Sequence, residues 1–161
     1  MEVFFDYSCP FCKRTHADLV RLIKSHPETE IEWRPCEAHP RPERGPHSDK
    51  CIQGMYYALE HGVDIWAYHD LMYNACLKGR IDYESIDALA NFAKSILDAE
   101  DFKAALESGK YEKIQLDGND YAFEQSGVWA VPAFRKNGLK LDAIEGVGVS
   151  GKHLEDFLSK A

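Results

Sequence analysis

Two cysteines separated by two residues, Cys9 and Cys12, lie at the junction between an apolar run and an amphipathic stretch. The run Val3-Phe4-Phe5 predicts a short buried strand, and residues 13–25 carry apolar side chains at helical spacing. If a helix begins just after Cys9, then Cys12 lies about one turn further along the same face, and the two sulfur atoms can meet. This pair therefore requires a strand-to-helix turn, which we predict to be the centre of the fold.

Cys9 is predicted to be the reactive thiol of the pair. The free backbone N–H groups and the positive dipole end of a helix N-terminus stabilise an anion. In such motifs the cysteine pKa falls from about 8.5 to roughly 3.5–7.5. We interpret Cys9 as the nucleophile and Cys12 as the thiol that resolves a mixed disulfide. A structural zinc site needs a second close pair of ligands, and the scattered Cys36, Cys51 and Cys76 do not supply one; we predict no metal site.

Length, charge and cysteine count narrow the class of protein. A chain of 161 residues suits one domain, or one domain with an insertion. A net charge of −8 argues against binding to nucleic acid, and no apolar run is long enough to span a membrane. Five cysteines is an odd number, which favours a reducing compartment and a catalytic rather than a structural pair. Because the N-terminus shows no signal peptide, we expect a cytoplasmic protein.

After the first strand and helix, the sequence predicts a second strand, a loop and a block of helices. Ile31 and Trp33 alternate with charged residues, as in a half-buried strand, so the first two strands are expected to be parallel. A loop rich in proline follows at 35–48. Helix-like patterning then covers residues 51–61, 65–78, 85–97, 101–107 and 120–126.

The C-terminal part predicts a β-hairpin and a last helix. Two short strands, at 132–135 and 139–144, flank Asn137-Gly138, a dipeptide typical of two-residue hairpin turns. A final amphipathic helix is predicted at 150–158. The glycine-rich segment 146–153 matches a dinucleotide-binding pattern, but the chain lacks the acidic residue and the strand that should follow it. We therefore interpret this segment as a turn that leads into the last helix.

Four other residues have side chains that could take part in chemistry, and we interpret them as structural residues. We interpret Cys36, Cys51 and Cys76 as small hydrophobic residues that pack in the core, with a regulatory or secondary disulfide role as the alternative. Cys36 follows the second strand and could lie near the active face. His16 follows Cys12 by one helical turn. It is a candidate to tune the thiol pKa, but an exposed helix histidine is the favoured interpretation.

The segments FDYSCPFC at 5–12 and GVWAVPAF at 127–134, together with the order of elements, resemble the DsbA-like branch of the thioredoxin fold. Trp33-Arg34-Pro35 and residues 37–40 are similar to a subgroup that includes FrnE-type oxidoreductases and 2-hydroxychromene-2-carboxylate isomerases. The resemblance implies an α/β thioredoxin fold, in which helices flank a central mixed sheet.

The same resemblance implies how the chain is divided. Residues 1–48 and 119–161 would form the two parts of the thioredoxin fold. Residues 49–118 would form an all-helical insertion between them.

The resemblance also implies thiol–disulfide exchange with a protein or small molecule that carries thiols or a disulfide. The Val131–Pro132 peptide bond would be cis and lie beside the cysteine pair, with the Val131 backbone pairing with an extended substrate. No metal or bound organic cofactor is required, while glutathione stays open as a co-substrate. The residues expected to support the site are Tyr7, Pro10, Phe11, Trp129, Val131 and Pro132.

Two positions depart from the family pattern. Val3 stands where thioredoxins and many DsbA-like proteins have a buried acid that assists proton transfer, so either another group, such as Asp6 or a water molecule, serves or proton transfer is slower. Phe11, between the cysteines, offers neither charge nor a side-chain hydrogen bond. We expect backbone N–H groups to stabilise Cys9, and a reduction potential between those of DsbA, about −120 mV, and thioredoxin, about −270 mV.

Two other functions stay open at this point. A glutathione-dependent isomerase or transferase is the first, although the isomerase branch typically has serine in place of the first reactive cysteine, and this chain keeps Cys9 and Cys12. A binding module that retains the fold without the chemistry is the second. The sequence does not determine the oligomeric state, the direction of electron transfer or the natural substrate.

Overall fold

The structure is a computed structural model that describes residues 1–38 and 45–160. Residues 39–44 of the predicted loop 35–48 lie outside the described ranges. They include the last two positions, 39 and 40, of the segment 37–40 that carried part of the family resemblance. Within these ranges the chain forms four strands: β1 (Glu2–Phe5), β2 (Glu32–Pro35), β3 (Ala133–Lys136) and β4 (Leu139–Asp142). The same ranges contain seven α-helices: α1 (Pro10–Leu22), α2 (Asp49–Glu60), α3 (Ile65–Leu77), α4 (Ile86–Ala93), α5 (Ala99–Glu107), α6 (Glu112–Asp120) and α7 (Gly151–Lys160).

The chain divides into two compact units. Residues 1–38 and 118–161 form the first unit, and residues 39–117 form the second. All four strands belong to the first unit, and the helices α2 to α5 belong to the second.

The sheet of the first unit has the strand order β2-β1-β3-β4. β1 pairs in parallel with β2 and antiparallel with β3, and β3 pairs antiparallel with β4. The apolar residues Val3, Phe4 and Phe5 explain the inner position of β1, since all three are buried. α1 connects the two parallel strands, and α7 packs against α1. The predicted mixed sheet with flanking helices is confirmed.

The hairpin between β3 and β4 turns at Asn137-Gly138. Both residues have positive φ, 50° for Asn137 and 79° for Gly138. A two-residue turn with positive φ at both positions matches the twist of the flanking strands, and Asn-Gly adopts it readily. The dipeptide therefore fixes the register of β3 against β4, which places Lys136 opposite Leu139.

In the second unit, α2 packs against α3 and α5. Gly54 of α2 allows a close approach, because a Cβ atom at this position would lie 2.8 Å from the ring of Phe102. Ser85 and Asp98 begin α4 and α5, since their side-chain oxygens accept hydrogen bonds from backbone N–H groups of the first turn.

Two helix predictions need correction. The helix predicted at 120–126 begins earlier, as α6, and ends in a π-helical turn at Tyr121–Gln125. The polar sequence around Gly118 hid the first part of that helix from the apolar pattern. The helix predicted at 85–97 ends at Ala93, and the chain then continues in turns. Among the helices of the described ranges, none is long and apolar enough to cross a membrane.

Candidate active site

Cys9 is the N-cap residue of α1. Its backbone is extended, with φ −95° and ψ 116°, and Pro10 occupies the first helical position, where a missing N–H costs nothing. The Cys9 N–H donates to the Asp6 carbonyl at 3.1 Å, which closes the turn after β1. The Cys12 N–H in turn donates to the Cys9 sulfur at 3.4 Å. The thiol therefore takes the role of a capping side chain.

The surroundings of the two sulfur atoms drive their pKa values apart. The pKa of Cys9 is lowered, chiefly because the Cys12 thiol donates a hydrogen bond to it, and further because the backbone N–H groups of Cys12 and Phe11 point at its sulfur. Burial and the charge of Asp6 oppose this effect without reversing it. The pKa of Cys12 is raised well above its ordinary value, first by burial and then by its interactions with Cys9. Near neutral pH, Cys9 is therefore the more readily ionised thiol.

The Val131–Pro132 segment lies next to Cys9, although it is more than 120 positions away in sequence. The Val131–Pro132 peptide bond is cis. The carbonyl oxygen of Val131 lies 3.8 Å from the Cys9 sulfur and accepts a hydrogen bond from the thiol. Val131 is buried, whereas the Trp129 side chain is 71 % exposed. The Cys9 sulfur thus lies beside the Val131 backbone. A large exposed aromatic residue, Trp129, precedes Val131 by two positions.

A buried carboxylate, Asp6, lies at the end of β1. Asp6 is 1 % exposed, and its two oxygens accept hydrogen bonds from both polar groups of Ser8 at 2.9 Å and from the Ala38 N–H at 2.7 Å. Its negative charge raises the pKa of both Cys9 and Cys12. The site thus has a buried acid immediately after β1, three residues beyond Val3.

Cys36 follows β2 and lies close enough to the pair for the charges of Cys9 and Asp6 to act on it. It is fully buried, and its N–H donates to the Phe5 carbonyl at 2.9 Å. Burial raises the pKa of its thiol far above the ordinary value. These surroundings suit a small packed residue and make Cys36 a poor nucleophile.

Three residues near the cysteine motif, Phe11, Tyr7 and His16, differ in how far they are buried and in what they contact. Phe11 is half-buried, with the Arg14 guanidinium 5.4 Å from the centre of its ring. Tyr7 is fully buried, and its ring packs edge-to-face on Phe5 at 5.1 Å. The expectation that His16 is exposed is wrong, since it is only 7 % exposed. The reason is helical periodicity, because positions 12, 16 and 19 share the face of α1 that points inward.

The glycine-rich segment packs against α1. Gly148 has φ +80°, and a Cβ atom there would lie 3.1 Å from the Phe11 Cβ atom and 2.9 Å from the Arg14 guanidinium. Arg14 donates a hydrogen bond to the Val147 carbonyl, and Thr15 donates one to the Val149 carbonyl at 3.4 Å. These contacts explain the glycines as part of a tight turn that supports the active-site helix. Across the described part of the chain, no group of three or more His, Cys, Asp and Glu side chains is arranged to hold a metal ion.

Comparison with known proteins agrees with this architecture. Residues 1–50, which contain β1, the cysteine pair, α1 and β2, match the family described as the DSBA-like thioredoxin domain. The uncharacterized protein YwbO of Bacillus subtilis (strain 168) is 24% identical in an alignment 197 positions long, which covers 99% of this chain and 98% of that protein.

The crystal structure of a probable DsbA oxidoreductase, SCO1869 from Streptomyces coelicolor, matches with a TM-score of 0.81 and 16% identity. The match covers 99% of this chain and 88% of that one. The protein has a thioredoxin-like fold, and the fold that the sequence resemblance implied is confirmed.

Proposed function

We propose that this protein is a thiol–disulfide oxidoreductase in which Cys9 attacks and Cys12 resolves. The observation that carries the proposal is the asymmetry of the pair. One sulfur is partly accessible, caps a helix and has a lowered pKa, while the other is buried with a raised pKa. A pair of this kind suits two successive exchanges at a single attacking sulfur.

The reaction passes through a mixed disulfide at Cys9. In the reducing direction, the Cys9 thiolate attacks a substrate disulfide, forms a new S–S bond and releases one substrate thiolate. Cys12 then loses its proton and attacks the Cys9 sulfur, which forms the Cys9–Cys12 disulfide and releases the second substrate thiolate. In the oxidising direction the same steps run backwards, and the Cys9 thiolate is the stabilised leaving group. Electrons pass directly between sulfur atoms, so the proposal requires no metal or bound organic cofactor.

The surface beside Cys9 suits an extended segment of a protein substrate. The Val131 backbone borders the reactive sulfur, and main-chain pairing is a way to hold peptides of many sequences. Trp129 adds an exposed aromatic surface on the same loop. We propose protein or small-molecule thiols and disulfides as substrates, with glutathione as a co-substrate, and a reducing compartment such as the cytoplasm as the location.

The second candidate is a glutathione-dependent isomerase or transferase of the 2-hydroxychromene-2-carboxylate isomerase type. The similarity of residues 33–35 to that subgroup favours it. Such an enzyme needs glutathione beside the Val131–Pro132 segment and no second cysteine, so Cys12 separates the two candidates.

The test compares substitutions at the pair in an assay that follows reduction of a peptide disulfide by glutathione. Cys9→Ser should reduce the rate to the uncatalysed level, because no attacking thiolate remains. Cys12→Ser should stop dithiol turnover and let a mixed disulfide accumulate at Cys9, seen by mass spectrometry. Cys36→Ala is the matched thiol control, because Cys36 is fully buried and its raised pKa makes it a poor nucleophile, and this variant should retain the wild-type rate. Full turnover with Cys12→Ser, together with isomerase activity, would favour the second candidate.

A further inference from the structure

A second pair of cysteines lies in the helical unit, outside the site described above. Cys51 belongs to the first turn of α2 and Cys76 to the last turn of α3. Their sulfur atoms are 3.6 Å apart, and neither cysteine forms a disulfide. The two residues are 25 positions apart in sequence, and the α2–α3 helical hairpin brings them together.

The surroundings of this pair resemble those of an attacking thiol and a resolving thiol. Cys51 is fully buried, whereas Cys76 is partly exposed. The Tyr68 hydroxyl donates to the Cys51 carbonyl at 2.6 Å, which fixes the first turn of α2 against α3. A disulfide has an S–S length of about 2.05 Å, so the sulfur atoms must approach by about 1.5 Å.

We propose that Cys51 and Cys76 are a second redox-active dithiol, which a low-molecular-weight disulfide oxidises to a disulfide between α2 and α3. The partly exposed Cys76 thiolate attacks the small disulfide, forms a mixed disulfide and releases one small thiolate. The Cys51 thiolate then attacks the Cys76 sulfur and releases the second. Two electrons and two protons leave the cysteine pair, and one disulfide is reduced to two thiols.

Oxidation at this pair has a structural consequence for the second unit. The new bond would join the start of α2 to the end of α3 and close a loop of the chain that includes both helices. Closing such a loop restricts the unfolded chain and stabilises the folded one. The proposal does not depend on the chemistry of Cys9, since the exchange takes place at Cys76.

The sequence allows the two pairs to be measured separately in the same wild-type sample. No lysine or arginine lies between positions 51 and 77, so trypsin releases Cys51 and Cys76 on one peptide, residues 51–78. Cys9 and Cys12 are released together on residues 1–13. The protein is equilibrated in buffers of reduced and oxidised glutathione, quenched with acid, unfolded, alkylated with N-ethylmaleimide, digested and analysed by mass spectrometry.

At the oxidising end of the series, peptide 51–78 should be two hydrogen atoms lighter and carry no alkyl group. A peptide that stays doubly alkylated, or that carries glutathione on both cysteines, would overturn the proposal. Because peptide 1–13 reports the first pair in the same digest, failure of one proposal is visible independently of the other. The wild-type protein alone decides this result, so no variant has to fold.

Substitutions at Cys51 and Cys76 show which of the two thiols attacks the small disulfide first. With Cys51→Ala, Cys76 should remain in a mixed disulfide with glutathione, because the resolving thiol is gone. With Cys76→Ser, Cys51 should stay reduced throughout the series. Oxidation should raise the melting temperature of the wild type by several degrees more than that of Cys76→Ser, which still contains the first pair. Equal shifts in the two proteins would count against a bond between the helices.

Discussion

At the level of single residues, the site depends on how differently the protein surrounds two thiols three positions apart. Cys9 receives hydrogen bonds from the Cys12 thiol and from the first-turn backbone, whereas Cys12 is enclosed in the core. Asp6 acts on both thiols through its charge and raises the pKa of each. The Cys12 thiol and the backbone therefore lower the pKa of Cys9, and the charge of Asp6 limits that shift.

This balance predicts the effect of Asp6→Asn. Removing the buried negative charge should lower the pKa of Cys9 further, because a thiolate then forms without a nearby like charge. Titration of the thiolate by its ultraviolet absorbance in the reduced protein measures the change. Ser8→Ala is the matched control, since it removes one hydrogen bond to Asp6 and keeps the charge. A Cys9 pKa that rises in Asp6→Asn, or falls equally in both variants, would contradict the role given to the charge.

At the level of elements, the turn that precedes α7 packs against α1 and forms hydrogen bonds with it. Gly148 lies against Phe11 and Arg14, which flank the second cysteine in the sequence, and the Val147 and Val149 carbonyls accept hydrogen bonds from α1. The active-site helix is thus positioned by a segment from the far end of the chain. This packing gives the glycine-rich segment a structural role.

Gly148→Ala tests this packing, with Gly146→Ala as its matched control. Both residues have positive φ, so each alanine should cost about 1–2 kcal/mol in the free energy of unfolding. A Cβ atom at Gly146 meets nothing within 4 Å, whereas at Gly148 it meets the fixed Cβ atom of Phe11. Gly148→Ala should therefore cost roughly 1–3 kcal/mol more, measured by urea denaturation. An equal loss in the free energy of unfolding in the two variants would show that Gly148 is not tightly packed against α1.

At the level of the whole molecule, the free energy of unfolding should depend on pH in different ways when the Cys9–Cys12 pair is reduced and when it is oxidised. The Cys9 pKa is lowered in the folded reduced protein, so its thiolate stabilises the fold at pH values above the unfolded-state pKa. This contribution disappears as the pH falls through the folded-state pKa. The oxidised protein has no thiolate and lacks the effect, while Cys12 acts in the opposite sense only at alkaline pH.

We therefore expect the reduced protein to gain stability relative to the oxidised protein as the pH rises through the folded-state pKa of Cys9 towards the unfolded-state value of about 8.5. Urea denaturation of both forms across that range measures the difference. The Cys9→Ser variant should not show this pH dependence. A difference that stays constant with pH would mean that Cys9 has an ordinary pKa in the fold.

A stabilised thiolate favours the reduced form and makes the disulfide more oxidising. Equilibration of the first pair against glutathione should give a potential between about −270 mV and about −120 mV, the values of thioredoxin and DsbA. Reading the state of peptide 1–13 keeps the second cysteine pair out of this measurement. A potential outside the interval would contradict the expectation.

The sequence alone determined the features that depend on neighbouring residues. The strand-to-helix turn at Cys9-Pro10-Phe11-Cys12, the hairpin at Asn137-Gly138 and most of the helices follow from spacing, capping and turn chemistry. These are local effects, so they act wherever the rest of the chain lies. The same local rules missed the first part of α6, where polar residues weaken the apolar pattern.

Only the tertiary structure decided which distant groups meet. It placed the Val131 carbonyl beside the Cys9 sulfur, buried His16, and brought the Cys51 and Cys76 sulfur atoms within 3.6 Å. No spacing rule contains these contacts, because they arise from how helices and strands pack once they have formed. The charge of Asp6 at the thiols has the same origin, since its strength depends on burial and distance. The sequence thus predicts where the Cys9–Cys12 pair lies, and packing sets the pKa values of its two thiols.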